Sequence, residues 1–327
     1  MTSRTPHHLW PVAIAALVVG ASLPCLLGSD LIKRHPEPPE GQELYAVSPP
    51  EVPAMAIFAG DTIRLDRYDL RERMDRELSA FTYMHASTML TIKRANRYFP
   101  VIEPILKAHG LPDDLKYLAI IESNLNPSAK SNAGAVGMWQ FLAQTGKQYG
   151  LEVNANIDER YHVERETVAA CKYLLEAYEK YGNWLTAAAS YNAGQGRISS
   201  GLRSQGVDSA VDLWLVEETA RYMFRLLAAK AVFSNPSAYG FRLKSHQLYP
   251  PLEYEEVTVT RTIDSLTVFA RQHGITYAQL KDANPWLRQS SLANNSRRTY
   301  IVKIPTRASM YYDPHETRAH DPRWVDE

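Results

Sequence analysis

The spacing of apolar residues changes at Pro250-Pro251, and this change constrains the fold more than any other feature of the chain. Before it, apolar side chains such as Leu70 and Met74 recur every three or four residues, which is typical of amphipathic helices. After it, short strand-like runs alternate with short helical ones. The sequence therefore predicts a mainly α fold class, with a helical domain over 61–250 and a small α/β module over 251–305.

Composition excludes several classes of protein. The 327 residues suggest about two domains, and 36 basic side chains balance 36 acidic ones, which argues against a nucleic-acid binder. Cys25 and Cys171 are too few for a disulfide framework or a thiolate metal site. Cys171 lies on an apolar helical stripe, so we expect an inert core thiol. No metal and no cofactor is predicted.

Residues 1–35 have the layout of a targeting segment. An uncharged run over 9–27 follows a basic start, which fits either a cleaved signal peptide or an uncleaved membrane anchor. Pro24 directly before Cys25 argues against lipid attachment to the cysteine. Both remaining interpretations place the rest of the chain outside the cytoplasm, in the cell envelope or periplasm.

Two further segments are predicted to lie outside the folded domains. Residues 36–60 form a linker, since six prolines between positions 36 and 53 favour an extended, semi-rigid tether. Residues 306–327 form a polar tail that we expect to be disordered.

A carboxylate lies on the apolar stripe of the helix that begins after Pro112. Leu115, Leu118 and Glu122 stand at positions i, i+3 and i+7. One interpretation is a partly exposed or paired residue at a fraying helix end. The other is a glutamate desolvated at the wall of a cleft, with a raised pKa suited to general acid catalysis.

The segment that follows favours the catalytic interpretation. Residues 131–137 are small and let the backbone approach a ligand closely. Gln140 then offers an amide group, while Trp139 and Phe141 can pack in the core or contact the face of a sugar.

These motifs, in this order, resemble the lytic transglycosylase family, whose catalytic domain has a goose-type lysozyme-like helical fold. The resemblance covers roughly 60–250 and is strongest to the membrane-bound lytic murein transglycosylase D subfamily. Its matching segments are Glu122-Ser123, Ser131, 134–141, 191–194 and 218–222. Leu142-Ala143 departs from the usual Met-Pro, and Ser190 replaces the usual alanine.

The resemblance implies an activity and a set of site residues. Glu122 would protonate the glycosidic oxygen between N-acetylmuramic acid and N-acetylglucosamine. It would then take the proton of the muramic acid C6 hydroxyl, which attacks C1 and leaves a 1,6-anhydro end. The residues implied to bind the substrate or position the acid are Ser131, Gln140, Tyr191, Asn192 and Tyr222. Glu218 is interpreted as a structural salt-bridge partner at a helix start.

Residues 256–305 resemble a lysin-motif (LysM) repeat, a peptidoglycan-binding module with a βααβ order. Its strands are expected at 257–259 and 300–305. Ile263 replaces the usual glycine, so the glycan-binding loop differs from the pattern. A βααβ spacer that binds no glycan is the alternative.

The predicted partner is therefore the peptidoglycan glycan strand, with an inner-membrane anchor as one possibility and no prediction of oligomeric state. Two other functions stay open at this point. One is a muramidase that hydrolyses the same bond on the same fold. The other is a non-catalytic protein that binds the cell wall, although such a binder needs no acid on an apolar stripe.

Overall fold

The computed structural model describes residues 48–295 and 297–326, and Pro49–Glu327 form one compact unit. The predicted signal peptide or anchor over 1–35, and residues 36–47 of the predicted linker, lie outside the described residues. Within the described part of the chain, every helix is too short or too polar to cross a bilayer.

The helical domain begins with an antiparallel hairpin of β1 (Met55–Phe58) and β2 (Asp61–Arg64), paired from Met55–Arg64 to Phe58–Asp61. The Phe58 side chain is fully buried. The linker predicted to end at residue 60 therefore ends before β1, because this hairpin contributes to the domain core. The α-helices that follow are α1 (Tyr68–Tyr83), α2 (His85–Ala108), α3 (Tyr117–Ser123), α4 (Ala143–Gln148), α5 (Val163–Tyr181), α6 (Trp184–Ala193), α7 (Gln195–Gln205) and α8 (Glu217–Ser234).

The helices pack as the apolar stripes predict. Helix α1 lies along α8, while α5 packs between α2 and α6, and the short α3 packs on α8. Leu70 and Met74 are buried in this core. Helix α2 is the longest of these helices and begins at His85. Cys171 is fully buried in α5, and burial raises the pKa of its thiol to about 12, as expected of an inert core thiol.

The C-terminal module has the predicted βααβ order. Strand β3 (Tyr254–Val259) pairs antiparallel with β4 (Tyr300–Pro305), and α9 (Leu266–Gln272) and α10 (Tyr277–Ala283) lie between them in sequence. The Ser265 hydroxyl accepts a hydrogen bond from the Val268 amide and begins α9. The mainly α fold class and the small βααβ module are thus confirmed.

One loop of the module, residues 284–294, forms hydrogen bonds with the helical domain. The Arg288 amide donates to the Asn156 carbonyl at 2.9 Å, and the Asn156 amide group donates to the Ser291 carbonyl at 3.0 Å. Ile157, from the helical domain, is buried in the core of the module. Loop 284–294 of the module is therefore hydrogen-bonded to the helical domain of the same chain.

The tail over 306–327 was expected to be disordered, and that expectation is wrong for the described residues. Trp324 is only 3% exposed, and its indole N–H donates to the Phe233 carbonyl at 2.6 Å. The buried side chain of Asn96 donates to the Arg318 carbonyl at 3.1 Å and accepts from the His320 amide at 2.7 Å. One large aromatic side chain thus docks a polar segment onto the helical core.

Candidate active site

The candidate acid lies at the end of α3, as its stripe predicts. Leu115 and Leu118 are fully buried, whereas Glu122 one turn later is only half-buried. Asn124 ends the helix with a left-handed backbone at φ 52°, which asparagine tolerates better than most residues. The carboxyl group therefore sits where the apolar core meets a more open surface.

Burial raises the pKa of Glu122 to about 7, because desolvation penalises its charged form. The Tyr222 hydroxyl donates a hydrogen bond of 2.6 Å to Glu122 Oε1, and this bond acts in the opposite direction. The charge of Arg225 also lowers the pKa, and that of Glu218 raises it. A carboxyl group with this pKa can both donate and accept a proton near neutral pH.

Glu218 does not form the structural salt bridge expected of it. The ion pair at the start of α8 joins Arg76 Nη1 to Glu217 Oε1 at 3.2 Å, whereas Glu218 is exposed. The sequence could not distinguish these adjacent acids because the start of a helix favours both equally. Glu218 instead contributes negative charge to the surroundings of Glu122.

The loop that carries Gln140 is tightly constrained. Gly137 has φ 85°, and a Cβ atom there would lie 1.7 Å from the Arg160 carbonyl oxygen, so only glycine fits. Gln140 has φ 53°, which non-glycine residues rarely adopt, and its side-chain amide donates to the Gly137 carbonyl at 2.8 Å.

Glu166, which sequence reasoning missed, holds this loop. It is fully buried in α5, and its two carboxyl oxygens accept hydrogen bonds of 3.0 Å from the backbone amides of Met138 and Trp139. Desolvation raises the pKa of Glu166 well above its usual value. The available signal was its position on the stripe that includes Ala169 and Ala170, the same pattern that marked Glu122.

Two contacts tie the loop to the neighbourhood of the acid. The Ser123 hydroxyl, next to Glu122 in sequence, donates to the Met138 carbonyl at 2.8 Å. The Tyr191 hydroxyl donates to the Trp139 carbonyl at 2.8 Å. Burial raises the pKa of the Tyr191 hydroxyl, and the charge of Glu122 acts in the same direction.

Asn192 and Ser131, which are also predicted to bind the substrate, form hydrogen bonds within the helical domain. Asn192 Oδ1 accepts a hydrogen bond of 2.9 Å from the Thr219 hydroxyl, which joins the end of α6 to the first turn of α8. The Ser131 hydroxyl accepts from the Ala135 amide at 3.0 Å and closes the turn before Gly137. Among the predicted substrate-binding residues within the described chain, Tyr222 is the one that forms a hydrogen bond with Glu122. The roles of the others toward a sugar stay predictions.

Known proteins share both parts of this architecture. The family profile of the transglycosylase SLT domain matches residues 99–210. The profile of the soluble lytic transglycosylase C-terminal LysM-like domain matches residues 255–308.

The chain is 30% identical to membrane-bound lytic murein transglycosylase D of Escherichia coli K12 over 253 residues, or 75% of this chain and 54% of that protein. It is 37% identical over 106 residues to the peptidoglycan transglycosylase gp16 of Escherichia phage T7, or 32% of this chain and 8% of that protein. The crystal structure of the 70 kDa soluble lytic transglycosylase of E. coli aligns with a TM-score of 0.38 and 24% identity, over 42% of this chain and 24% of that chain.

The chain therefore contains a transglycosylase SLT domain followed by a C-terminal LysM-like domain, which confirms the family resemblance found in the sequence. It spans about half the length of the curated transglycosylase D relatives that it matches.

Proposed function

We propose that the protein is a peptidoglycan lytic transglycosylase, a lyase that cleaves the β-1,4 bond between N-acetylmuramic acid and N-acetylglucosamine and leaves a 1,6-anhydro end. The observation that carries the proposal is the carboxyl group of Glu122, with a pKa raised to about 7 and a hydrogen bond from Tyr222. The SLT domain supports the reaction class.

The proposed reaction uses one carboxyl group twice. Protonated Glu122 gives its proton to the glycosidic oxygen as the bond from that oxygen to C1 breaks. The resulting carboxylate then takes the proton of the C6 hydroxyl of the muramic acid, and the C6 oxygen bonds to C1. The second step restores protonated Glu122 without consuming water. A pKa near the working pH suits both steps, because each requires the other protonation state.

The surrounding residues would position the sugar and the acid. Tyr222 holds the carboxyl group of Glu122 in one orientation. Gln140 and Ser131 would bind N-acetyl groups from the constrained loop, while Tyr191 and Asn192 would shape the wall of the cleft. Orienting the C6 hydroxyl toward C1 contributes to the rate because it converts an encounter into an intramolecular step.

We further propose that the protein acts in the cell envelope on peptidoglycan strands. The name of the E. coli relative as a membrane-bound murein enzyme supports this location. The LysM-like module supports the same partner. Loop 284–294 of the module is engaged with residues 155–157 of the helical domain, so glycan binding by the module would use another surface.

The deciding experiment is digestion of purified sacculi by the full chain, followed by mass spectrometry of the released muropeptides. We expect anhydro ends, which are lighter by one water than reducing ends. The Glu122→Gln variant should release none while remaining folded. Reducing ends from the wild type, or cleavage by the Glu122→Gln variant, would contradict the proposal.

A muramidase is the second candidate, because Glu218 places a second negative charge near the acid. Hydrolysis by two carboxylates would need Glu218 to activate water or stabilise a cation at C1. Its exposure argues against this role. Glu218→Gln should therefore keep most of the activity and the same anhydro ends, whereas a loss equal to that of Glu122→Gln would support hydrolysis.

A further inference from the structure

Trp214 is unusual among the tryptophans of the described chain. Its side chain is 83% exposed, whereas the other described tryptophans are at most 8% exposed. An exposed aromatic ring forgoes the stabilisation that burial would provide, and a tryptophan held in solvent on an ordered backbone is a candidate for binding a ligand.

Hydrogen bonds with the side chain of Gln205 hold the backbone of Trp214 in place. The side-chain amide of Gln205 accepts from the Trp214 amide N–H at 2.7 Å and donates to the Trp214 carbonyl at 3.1 Å. Leu213 is buried and Leu215 packs against the helical core, so alternate side chains of this extended segment point inward. Trp214 and Val216 consequently share the outward face.

Both ends of segment 212–217 form ion pairs, one with Arg67 just before α1 and one with Arg76 in α1. Arg67 Nη1 contacts Asp212 Oδ1 at 2.6 Å, and Arg76 Nη1 contacts Glu217 Oε1 at 3.2 Å. Exposed ion pairs contribute little free energy, but they restrict the conformations of the segment. The indole is thus presented on a fixed backbone, which lowers the conformational entropy lost when a ligand binds.

The segment leads directly into the candidate active site. Glu218, whose charge raises the pKa of Glu122, follows Trp214 by four residues, or at most about 14 Å of extended chain. Thr219 then bonds to Asn192. An exposed ring in this position is within reach of a polymeric substrate whose reacting bond lies at Glu122.

We propose that Trp214 forms an outer sugar-binding subsite, in which the indole face packs on the C–H face of an N-acetylated hexosamine ring of the glycan strand. This subsite rests on the proposed function for its substrate class. Stacking of this kind does not depend on which hexosamine of the strand occupies the subsite. It favours long substrates over short ones, because only a long strand reaches Trp214 and Glu122 together. Trp214 is therefore a residue that sets the preference for chain length.

The test uses the full chain with Glu122→Gln, which binds without cleaving, and β-1,4-linked N-acetylglucosamine oligomers as probes. We expect the hexamer to shift tryptophan fluorescence and to bind about tenfold more weakly when Trp214→Ala is added. Binding of the dimer should change little. Trp214→Phe should restore most of the hexamer affinity but not the fluorescence change, because phenylalanine keeps an aromatic face without the indole.

Tyr311→Ala is the matched control, since this aromatic side chain is 69% exposed in the C-terminal segment. It should leave hexamer affinity unchanged. Equal hexamer affinity with and without Trp214 would overturn the proposal, as would an altered oligomeric mass of the Trp214→Ala variant with unchanged sugar binding. Failure of the wild type to cut sacculi would contradict the proposed function alone, because the oligomer titration does not depend on cleavage.

Discussion

Glu122 and Glu164 are both partly buried glutamates, yet they lie in regions that shift their pKa values in opposite directions. Burial raises the pKa of Glu122 to about 7, and its hydrogen-bond donor is the neutral hydroxyl of Tyr222. Burial also acts to raise the pKa of Glu164, near the start of α5, but His162 and Lys303 lower its pKa to about 2.

The second region joins the two domains. Lys303, from β4 of the LysM-like module, forms an ion pair with Glu164, and His162 Nδ1 lies 3.1 Å from the same carboxyl group. The ring of His162 also lies 5.8 Å from that of Trp286 in the module. The cationic partner of Glu164 thus keeps that carboxyl group charged at the junction of the two domains. The neutral partner of Glu122 leaves that carboxyl group available for proton transfer.

The largest effect is expected from Glu122→Gln, which removes the titrating group of the first region. Cleavage of sacculi should fall at least about a thousandfold, the range ascribed to general acid–base catalysis. Because the folded pKa of about 7 exceeds the ordinary 4.5, wild-type stability should decrease as pH rises through about 7. Urea unfolding below and above that pH should show a smaller decrease for the variant.

Glu255→Gln, an exposed glutamate of β3, is the control for that change and should alter neither quantity. An equal decrease of stability with pH in both Glu122→Gln and the wild type would show that Glu122 is not the group with the raised pKa.

Glu166→Gln tests whether a buried carboxyl can act through a loop without touching the substrate. The glutamine would direct its amide N–H₂ toward a backbone N–H of Met138 or Trp139, so the loop carrying Gln140 should shift. We expect kcat to fall about ten- to a hundredfold, the scale of a small misplacement, with KM changed less.

Thermal unfolding of Glu166→Gln separates positioning from stability. A lower melting temperature with unchanged kcat per folded molecule would mean that Glu166 only stabilises the domain. The Thr167→Val variant, which removes the acceptor for the Trp139 indole N–H, is the matched control and should have the smaller effect on kcat.

Tyr222→Phe makes the surroundings of Glu122 more apolar and removes its hydrogen-bond donor. That bond lowers the pKa of Glu122, so the variant should have a higher pKa than the wild-type value of about 7. The alkaline limb of the pH–rate profile should move upward by about one pH unit, and kcat should fall about tenfold. An unmoved alkaline limb would contradict the assignment of that limb to Glu122.

Glu164→Gln should have the smallest effect on activity, because this carboxyl group forms an ion pair between the two domains and does not contact Glu122. Unfolding free energy should fall by about 1–2 kcal/mol near neutral pH, after allowance for solvent screening. The folded pKa of about 2 lies below the ordinary 4.5, so this stabilisation is present above pH 4.5 and is lost as pH falls toward 2. Unchanged acid sensitivity in the variant would contradict a role for the pair.

Local spacing was sufficient to find the candidate acid and most of the helices. Leu115, Leu118 and Glu122 are neighbours on one helix face, and this relation follows from the helical repeat alone. The same rule would have found Glu166 on α5. It could not assign Glu166 its partners, since the amides of Met138 and Trp139 lie 28 and 27 residues away.

For the tail over 306–327, the prediction from sequence was wrong. Its polar composition predicts disorder, but the docking site of Trp324 is built by distant residues such as Phe99 and Phe233. Composition cannot report a contact whose other half lies 91 positions or more earlier in the chain.

By itself, the sequence determined the helical class, the βααβ module, the family and the position of an acid on an apolar stripe, because these depend on local periodicity and ordered motifs. Only the tertiary structure decided in which direction the pKa of each glutamate shifts. Tyr222 reaches Glu122 across 100 residues of sequence, and Lys303 reaches Glu164 across 139. A pKa depends on desolvation and on the charge of neighbours in space, and both are set by the fold.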